Sequence, residues 1–254
     1  MTNKWYSVFK AVLGPALTVW NRPTINGADN VPDSGAALLV SNHQAVMDSF
    51  YLPLMLRRQL VFPAKSEYFT TPGIKGAIQK WFFTSVGQVP LDRNSADAGT
   101  ALQNAAERVL DGGELFGIYP EGTRSPDGRI YKGRTGVARI AMTTGVPVVL
   151  TGMIGTRNAN PIGTNIPRPA KVHIEVSEPI DPHAWAVEHG FDPASRDVAR
   201  PFTDYLMHRL AELTGYEYVD VYATEVKEAL EVTGQYPPGA EPKTPSEPNE
   251  GAGK

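Results

Sequence analysis

The sequence contains no cysteine, which excludes disulfide bonds, thiolate nucleophiles and cysteine-ligated zinc sites. It also lacks a run of about 18 to 20 apolar residues, the length that a helix needs to cross a bilayer. The N-terminus shows no basic segment followed by an apolar core and a small-residue cleavage site, so we predict no secretory signal. The missing signal favours a protein that stays in the cytoplasm, and the missing apolar run favours membrane contact from one side only. The lack of cysteine leaves the redox compartment open.

Two common hydrolase patterns are also missing. There is no Gly-x-Ser-x-Gly turn that would present a serine nucleophile, and no His-Glu-x-x-His helix or histidine cluster that would hold a catalytic zinc. The net charge of -3 argues against a strongly basic nucleic-acid binder. The sequence therefore predicts neither a metal site nor a nucleic-acid partner.

Short apolar segments alternate with amphipathic segments through most of the chain. The predicted strands include 36–40, 114–120, 146–154 and 171–180, and the predicted helices include 73–83, 97–113 and 134–145. Strands that alternate with helices of about a dozen residues predict an α/β layered fold, with a largely parallel sheet flanked by helices. Two further helices are predicted at 194–214 and 216–232.

Aromatic residues and lysines mark two segments as candidates for membrane contact. Residues 3–20 place tryptophan, tyrosine and aliphatic residues at helical intervals between lysines, as in a helix that lies in a membrane interface. Residues 75–83 combine two lysines with Trp81 and two phenylalanines. The alternative for both segments is a helix that packs on the protein's own core.

The segment NHQAVMD at 42–48 directly follows the first apolar strand. On a continuous helix, residues five apart point about 140° away from each other, so His43 and Asp48 would not meet. They meet when His43 lies in the turn before the helix and Asp48 lies one turn inside it. The carboxylate then accepts the proton of one imidazole nitrogen, and the other nitrogen faces a substrate hydroxyl. The alternative is a structural histidine near a helix start.

The segment IYPEGTRS at 118–125 ends another apolar strand. Gly122 lets the backbone approach a ligand, Thr123 offers a hydroxyl, and Arg124 offers a planar fork that matches a phosphate or carboxylate. Glu121 is predicted to orient Arg124 or to accept a hydrogen bond from a hydroxyl. The alternative is a polar turn in which Glu121 and Arg124 pair with each other. An acid–base pair and an anion site at two strand ends favour one shared binding site.

Together these segments resemble the glycerolipid acyltransferase family, which includes the 1-acylglycerol-3-phosphate and glycerol-3-phosphate acyltransferases. The four ordered blocks of that family resemble NHQAVMD, VGQVPLDR at 86–93, IYPEGTRS and VPVVLTG at 146–152. The resemblance covers residues 25–180, more or less. It departs in the fourth block, where the family commonly has a proline and this chain has Leu150 and Thr151.

The resemblance implies a role for each matching residue. His43 would be the general base and Asp48 its orienting partner. The residues implied to bind the acceptor are Lys65, Arg93, Glu121, Gly122, Thr123 and Arg124. No metal or cofactor is implied, and acyl-CoA or acyl carrier protein would be the co-substrate.

The implied reaction moves a fatty acyl group from the thioester to the free hydroxyl of 1-acylglycerol 3-phosphate, giving phosphatidic acid. The alternatives are glycerol 3-phosphate or another lysolipid as acceptor, or an anionic-lipid-binding protein without turnover. The implied partners are the acyl donor, the lysophospholipid acceptor and a membrane surface, with the protein bound peripherally at the cytoplasmic face. The predicted organisation is a membrane-interface segment at 1–24, a catalytic domain at 25–232 and a disordered tail at 233–254.

Overall fold

The computed structural model describes residues 4–85, 87–92, 97–164 and 166–243. Its strands are β1 (Thr24–Asn26), β2 (Ala37–Ser41), β3 (Leu60–Val61), β4 (Pro63–Lys65), β5 (Val89–Leu91), β6 (Leu115–Ile118), β7 (Ile130–Tyr131), β8 (Val148–Ile154), β9 (His173–Val176) and β10 (Tyr218–Val219). Its α-helices are α1 (Lys4–Asn21), α2 (Asp48–Met55), α3 (Glu67–Thr70), α4 (Gly73–Ser85), α5 (Ala98–Asp111), α6 (Gly136–Thr144), α7 (Thr156–Ala159), α8 (Pro182–Glu188), α9 (Ala199–Thr214) and α10 (Ala223–Thr233).

Six strands form the central sheet, in the order β1-β9-β8-β2-β6-β3. The pairing of β8 with β9 is antiparallel, whereas the other four pairings in this sheet are parallel. Strands β4 and β5 form a second, small parallel pair, and β7 and β10 form a third. The predicted α/β fold with a largely parallel sheet is confirmed.

Strand β2 lies in the middle of the sheet, and all five of its residues are buried. Side chains alternate between the two faces of a strand, and β2 accordingly contributes to two apolar clusters. Leu38 and Val40 join the cluster that contains buried residues of α5, α6 and α9. Leu39 joins the cluster that contains Tyr51 and Leu52 of α2. Because both faces are covered, the strand appears in the sequence as a continuous apolar run.

Helix α1 packs on α2 along one side. The Tyr6 hydroxyl donates to the carbonyl of Pro53 at 3.2 Å, and the Lys10 ammonium donates to the carbonyl of Leu56. Other side chains of α1, among them Trp5 and Val12, are exposed. The helix therefore has a packed side and an open apolar side. No helix in the described ranges is long and apolar enough to span a membrane.

The C-terminal region differs from the prediction at two points. The helix predicted at 216–232 begins only at Ala223, because β10 precedes it and pairs with β7. The predicted disordered tail began at 233, but Ala240 is fully buried and the Arg129 guanidinium donates to the carbonyls of Ala240 and Glu241. A buried guanidinium needs acceptors, and this segment supplies them. Residues 244–254 lie outside the described part of the chain.

Candidate active site

The two motif loops begin at neighbouring strand ends. Strands β2 and β6 are parallel and adjacent, with Val40 opposite Ile118, so their carboxyl ends lie at the same edge of the sheet. Loops that follow such strand ends are the usual place for ligands in α/β folds. Here the N–H of Ser125 donates to the carbonyl of His43 at 2.7 Å. The loop after β2 and the loop after β6 are therefore joined directly.

His43 and Asp48 form the predicted pair. Nδ1 of His43 lies 2.9 Å from Oδ2 of Asp48, which also accepts from the N–H groups of Gln44 and Ala45 at 2.7 and 2.8 Å. Asp48 is the first residue of α2 and not one turn inside it, so the prediction of its place in the helix was wrong. The turn at residues 44–47 brings the two side chains together instead. Because the carboxylate accepts from Nδ1, Nε2 is the nitrogen available to take a proton.

Aromatic rings support His43 from the side. Its imidazole stacks on Tyr119 with 4.0 Å between ring centres, and Tyr119 stacks on Phe62 with 5.1 Å between centres. The Tyr119 hydroxyl lies 3.0 Å from Oγ of Ser49 in α2. Burial and the charge of Asp48 raise the pKa of Tyr119 well above its ordinary value, so the phenol stays neutral. The sequence did not single out Tyr119 or Phe62, although Tyr119 is part of the segment IYPEGTRS.

Glu121 is 1 % exposed and holds the backbone of both loops. Its Oε1 accepts from the N–H of His43 at 3.0 Å, and its Oε2 accepts from the N–H of Tyr131 at 3.2 Å. Burial raises the pKa of Glu121 to about 8. We predicted that Glu121 would orient Arg124 or accept from a hydroxyl, but its oxygens face backbone donors. The geometry gives Glu121 a positioning role.

Gly122 follows Glu121 with φ at 71°, the left-handed region in which side chains other than glycine are strained. A Cβ atom at this position would lie 3.0 Å from Nε of Arg134. The glycine therefore serves the sharp turn between Glu121 and Thr123. This turn directs Thr123 and Arg124 towards the cavity beside His43.

A cavity of about 330 Å³ lies in front of His43. Its polar lining includes the predicted residues His43, Lys65, Thr123 and Arg124, together with Lys10, Ser49 and Gln88. Its apolar lining comes mainly from α1, α2 and the region of α3 and α4, and includes Leu13, Leu17, Phe50, Leu54, Tyr68 and Phe83. The structure thus brings four of the predicted residues to one cavity with a long apolar wall. Arg93, also predicted here, lies outside the described residues.

Three cations line the cavity, and Lys10 donates to the carbonyl of Leu56, whereas Arg124 and Lys65 are not neutralised by any of the described residues. Within the described ranges, the Arg124 guanidinium and the Lys65 ammonium make no recorded hydrogen bond or ion pair, so the alternative of a Glu121–Arg124 pair does not form. The described residues also contain no group of three or more His, Asp or Glu side chains arranged to hold a metal ion. The arrangement is a proton acceptor beside a positively charged polar wall.

Comparison with known proteins places this geometry in a family. The family model described as Acyltransferase matches residues 22–153, which include His43, Asp48 and Glu121 to Arg124. The chain is 30% identical to a solved structure, the 1-acyl-sn-glycerophosphate (LPA) acyltransferase PlsC from Thermotoga maritima. The match has a TM-score of 0.62 and covers 82% of this chain and 78% of that chain.

Two curated plant relatives are also similar. The chain is 35% identical over 159 residues to the chloroplastic 1-acyl-sn-glycerol-3-phosphate acyltransferase BAT2 of Brassica napus, covering 61% of this chain and 44% of that protein. It is 34% identical to the chloroplastic enzyme LPAT1 of Arabidopsis thaliana, covering 61% and 43%. The chain thus spans less than half the length of these two relatives. From the matched family model and the PlsC structure, this chain belongs to the acyltransferase family.

Proposed function

We propose that the chain is a 1-acylglycerol-3-phosphate acyltransferase that uses a fatty acyl thioester, carried by coenzyme A or acyl carrier protein, and forms phosphatidic acid. The observation that carries this proposal is the orientation of His43. Its Nδ1 is engaged by Asp48, while the ring lines a cavity that also contains Arg124 and Lys65. A proton acceptor beside unpaired cations suits an acceptor that has both a hydroxyl and a phosphate.

In the proposed reaction, Nε2 of His43 takes the proton from the acceptor hydroxyl as its oxygen attacks the thioester carbonyl. The tetrahedral intermediate then expels the thiolate, which receives the proton from the imidazolium. Asp48 stabilises the imidazolium between these steps. A thioester is already activated, so the protein needs no nucleophile of its own. General-base assistance of this kind is worth about 10² to 10⁴ in rate.

The cations and the apolar wall of the cavity bind different parts of the substrates. Arg124, Lys65 and Thr123 bind the phosphate of the acceptor, together with Arg93 outside the described residues. Fixing the phosphate also fixes the hydroxyl against the thioester, which lowers the entropic part of the barrier. The apolar lining from α1 and α2 receives fatty acyl chains, which neither a soluble nucleotide nor a sugar would need.

The same helices support binding to a membrane surface. Trp5 of α1 contacts Trp81 of α4 edge to face, with 5.5 Å between ring centres, so the two helices present neighbouring aromatic residues. Further exposed apolar side chains on these helices are Val8, Val12, Val19, Trp20, Ile74 and Ile78. Tryptophan and aliphatic residues next to lysines bind the interfacial region of a bilayer. We propose peripheral attachment at the cytoplasmic face through α1 and α4.

The test is a panel of donors and acceptors on the purified chain. Acyl-CoA and acyl carrier protein donors are combined with 1-acylglycerol 3-phosphate, glycerol 3-phosphate and other lysolipids. We expect phosphatidic acid from 1-acylglycerol 3-phosphate, and loss of transfer in His43→Ala but not in the control His208→Ala, an exposed histidine of α9. Lipid binding without transfer on any donor would overturn the proposal in favour of a binding protein.

A second measurement tests the phosphate-binding role of Arg124. We expect Arg124→Ala to raise the KM for the acceptor much more than the KM for the thioester, because the guanidinium contacts the phosphate. The matched control is Arg139→Ala, which removes an exposed arginine of α6. Equal increases in both KM values would argue against a phosphate contact.

A further inference from the structure

Lys227 of α10 reaches the loop that carries Thr123 and Arg124. Its ammonium donates to Oγ1 of Thr123 at 2.6 Å, although the two residues are 104 positions apart in the chain. Thr123 lines the cavity in front of His43. Lys227 lies beyond the matched family model, which ends at residue 153. The C-terminal helix thus brings an additional cation to the loop that carries Thr123 and Arg124.

The position of Lys227 is fixed by the packing of its helix. Ala223 and Val226, on the same helix, are fully buried in a cluster with Tyr131 of β7. Tyr131 is also the residue whose N–H donates to Glu121. These two buried residues fix the helix backbone next to Lys227. The hydrogen bond to Thr123 then places its ammonium at the loop.

Lys227 lies in the field of two arginines and two glutamates. Arg124 and Arg157 repel it, and Glu121 and Glu231 attract it. Burial lowers the pKa of Lys227, and Arg124 lowers it further. No ion pair of Lys227 with a carboxylate is present within the described residues, and both oxygens of Glu121 already face backbone donors. Two neighbouring cations, partly removed from water, repel each other, and an anion bound by both would relieve this repulsion.

We propose that Lys227 and Arg124 jointly bind the phosphate monoester of the acceptor, so that α10 selects phosphomonoesters over lysolipids with a phosphodiester head. This inference rests on the proposed function. A phosphate monoester carries a charge of about -1.5 to -2 at pH 7, with a second pKa near 6. A phosphodiester carries one negative charge and has a substituent on the oxygen that Lys227 would contact. A second cation therefore favours the monoester.

The test compares three acceptors in steady-state kinetics: 1-acylglycerol 3-phosphate, lysophosphatidylglycerol and monoacylglycerol. We expect Lys227→Gln to raise the KM for the monoester about tenfold or more, the value of one charge-assisted hydrogen bond. The KM values for the other two acceptors and for the thioester should change less than twofold. Lys227→Arg should restore most of the monoester preference, and Lys171→Gln, which removes an exposed lysine, should resemble the wild type.

A purely structural role of Lys227 would affect all three acceptors alike, and that result would overturn the inference. Thermal unfolding of each variant identifies a loss of folding. If Lys227→Gln fails to fold, Lys227→Arg, which keeps the positive charge, is compared with the wild type instead. Calorimetric binding of short-chain 1-acylglycerol 3-phosphate needs no turnover. Transfer by the wild type with unchanged monoester preference in Lys227→Gln would overturn the inference alone. A third outcome is that the wild type transfers no acyl group but binds 1-acylglycerol 3-phosphate more tightly than Lys227→Gln does. That result would support the inference and overturn the proposed function.

Discussion

The backbone N–H of His43 donates to Oε1 of Glu121 at 3.0 Å, so a carboxyl group of one motif loop holds the main chain of the other. The second oxygen of Glu121 binds the N–H of Tyr131 in β7. Three segments from different parts of the chain therefore meet at one buried side chain. The position of the proposed base depends on a residue that does not line the cavity.

The pH dependence of stability follows from Glu121. Burial raises its pKa in the folded protein to about 8 from an ordinary 4.5. Between these two pH values the folded state binds this proton more tightly than the unfolded state does. The contribution of Glu121 to stability is therefore fully present below pH 4.5 and is lost as the pH rises towards 8. Each pKa unit corresponds to about 1.4 kcal/mol. We expect Glu121→Gln to be less sensitive to pH than the wild type in this window.

Urea unfolding at several values across that pH window measures this dependence. Glu178→Gln removes an exposed carboxylate and serves as the control, which should follow the wild-type curve. Parallel curves for Glu121→Gln and the wild type would contradict a proton on Glu121.

Asp48 is expected to affect rate and stability separately. Asp48→Asn keeps one oxygen for the N–H groups of Gln44 and Ala45 but removes the charge that stabilises the imidazolium. We expect kcat to fall by about 10² or more with modest loss of stability. Asp48→Ala leaves both N–H groups without this acceptor and should cost about 1 to 3 kcal/mol for each. Single-turnover rates and thermal unfolding measure the two effects, and an unchanged kcat in Asp48→Asn would reject the orienting role.

Gly117→Ala tests the aromatic stack behind His43. A Cβ atom on Gly117 would lie 2.4 Å from Cε1 of Phe62, so the Phe62 ring must move. Because Phe62 stacks on Tyr119 and Tyr119 stacks on His43, we expect a fall in kcat of about tenfold and a loss of about 1 to 3 kcal/mol in stability.

The control for this change is Gly136→Ala in α6, where the added Cβ would lie at an ordinary 3.5 Å from Leu102. It should leave kcat at the wild-type value. If Gly117→Ala loses stability but keeps the wild-type kcat, the aromatic stack contributes to packing and not to the position of His43 in catalysis.

Arg129 is expected to hold the C-terminal segment in place. Its guanidinium donates to the Asp127 carboxylate, the Tyr131 hydroxyl and the carbonyls of Ala240 and Glu241. We expect Arg129→Ala to lower the free energy of unfolding by about 3 to 5 kcal/mol, since it leaves a partly buried charge without its partner. It should also speed amide exchange at residues 235–243. Arg209→Ala, which breaks an exposed pair with Glu212, is the control and should change stability by less than about 1 kcal/mol.

The sequence predicts the parts of the fold that depend on local pattern. The apolar runs that became β2, β6 and β8 are recognisable because a buried parallel strand needs an uninterrupted apolar segment. The pairing of His43 with Asp48 was also predictable, since only a turn before the helix lets residues at this spacing meet. The loop contact between His43 and Ser125 follows once the two strands are known to be parallel neighbours.

Contacts between distant segments were not predictable in the same way. The stack of Phe62, Tyr119 and His43 depends on the register of three strands, which no local pattern specifies. Lys227 has no motif around it, and its contact with Thr123 exists only because α10 packs on Tyr131. For Glu121, the sequence showed a charged residue in a polar turn, whereas burial gave it backbone partners.

Helix α2 begins with Asp48, and its C-terminal end is capped by α1. The carbonyls of Pro53 and Leu56, which lack partners within the helix, accept from Tyr6 and Lys10. Helix α2 therefore contacts α1 at its C-terminal end and carries at its first residue the carboxylate that aligns His43. The helix proposed to lie on the membrane and the catalytic pair are thus joined through a single helix of eight residues.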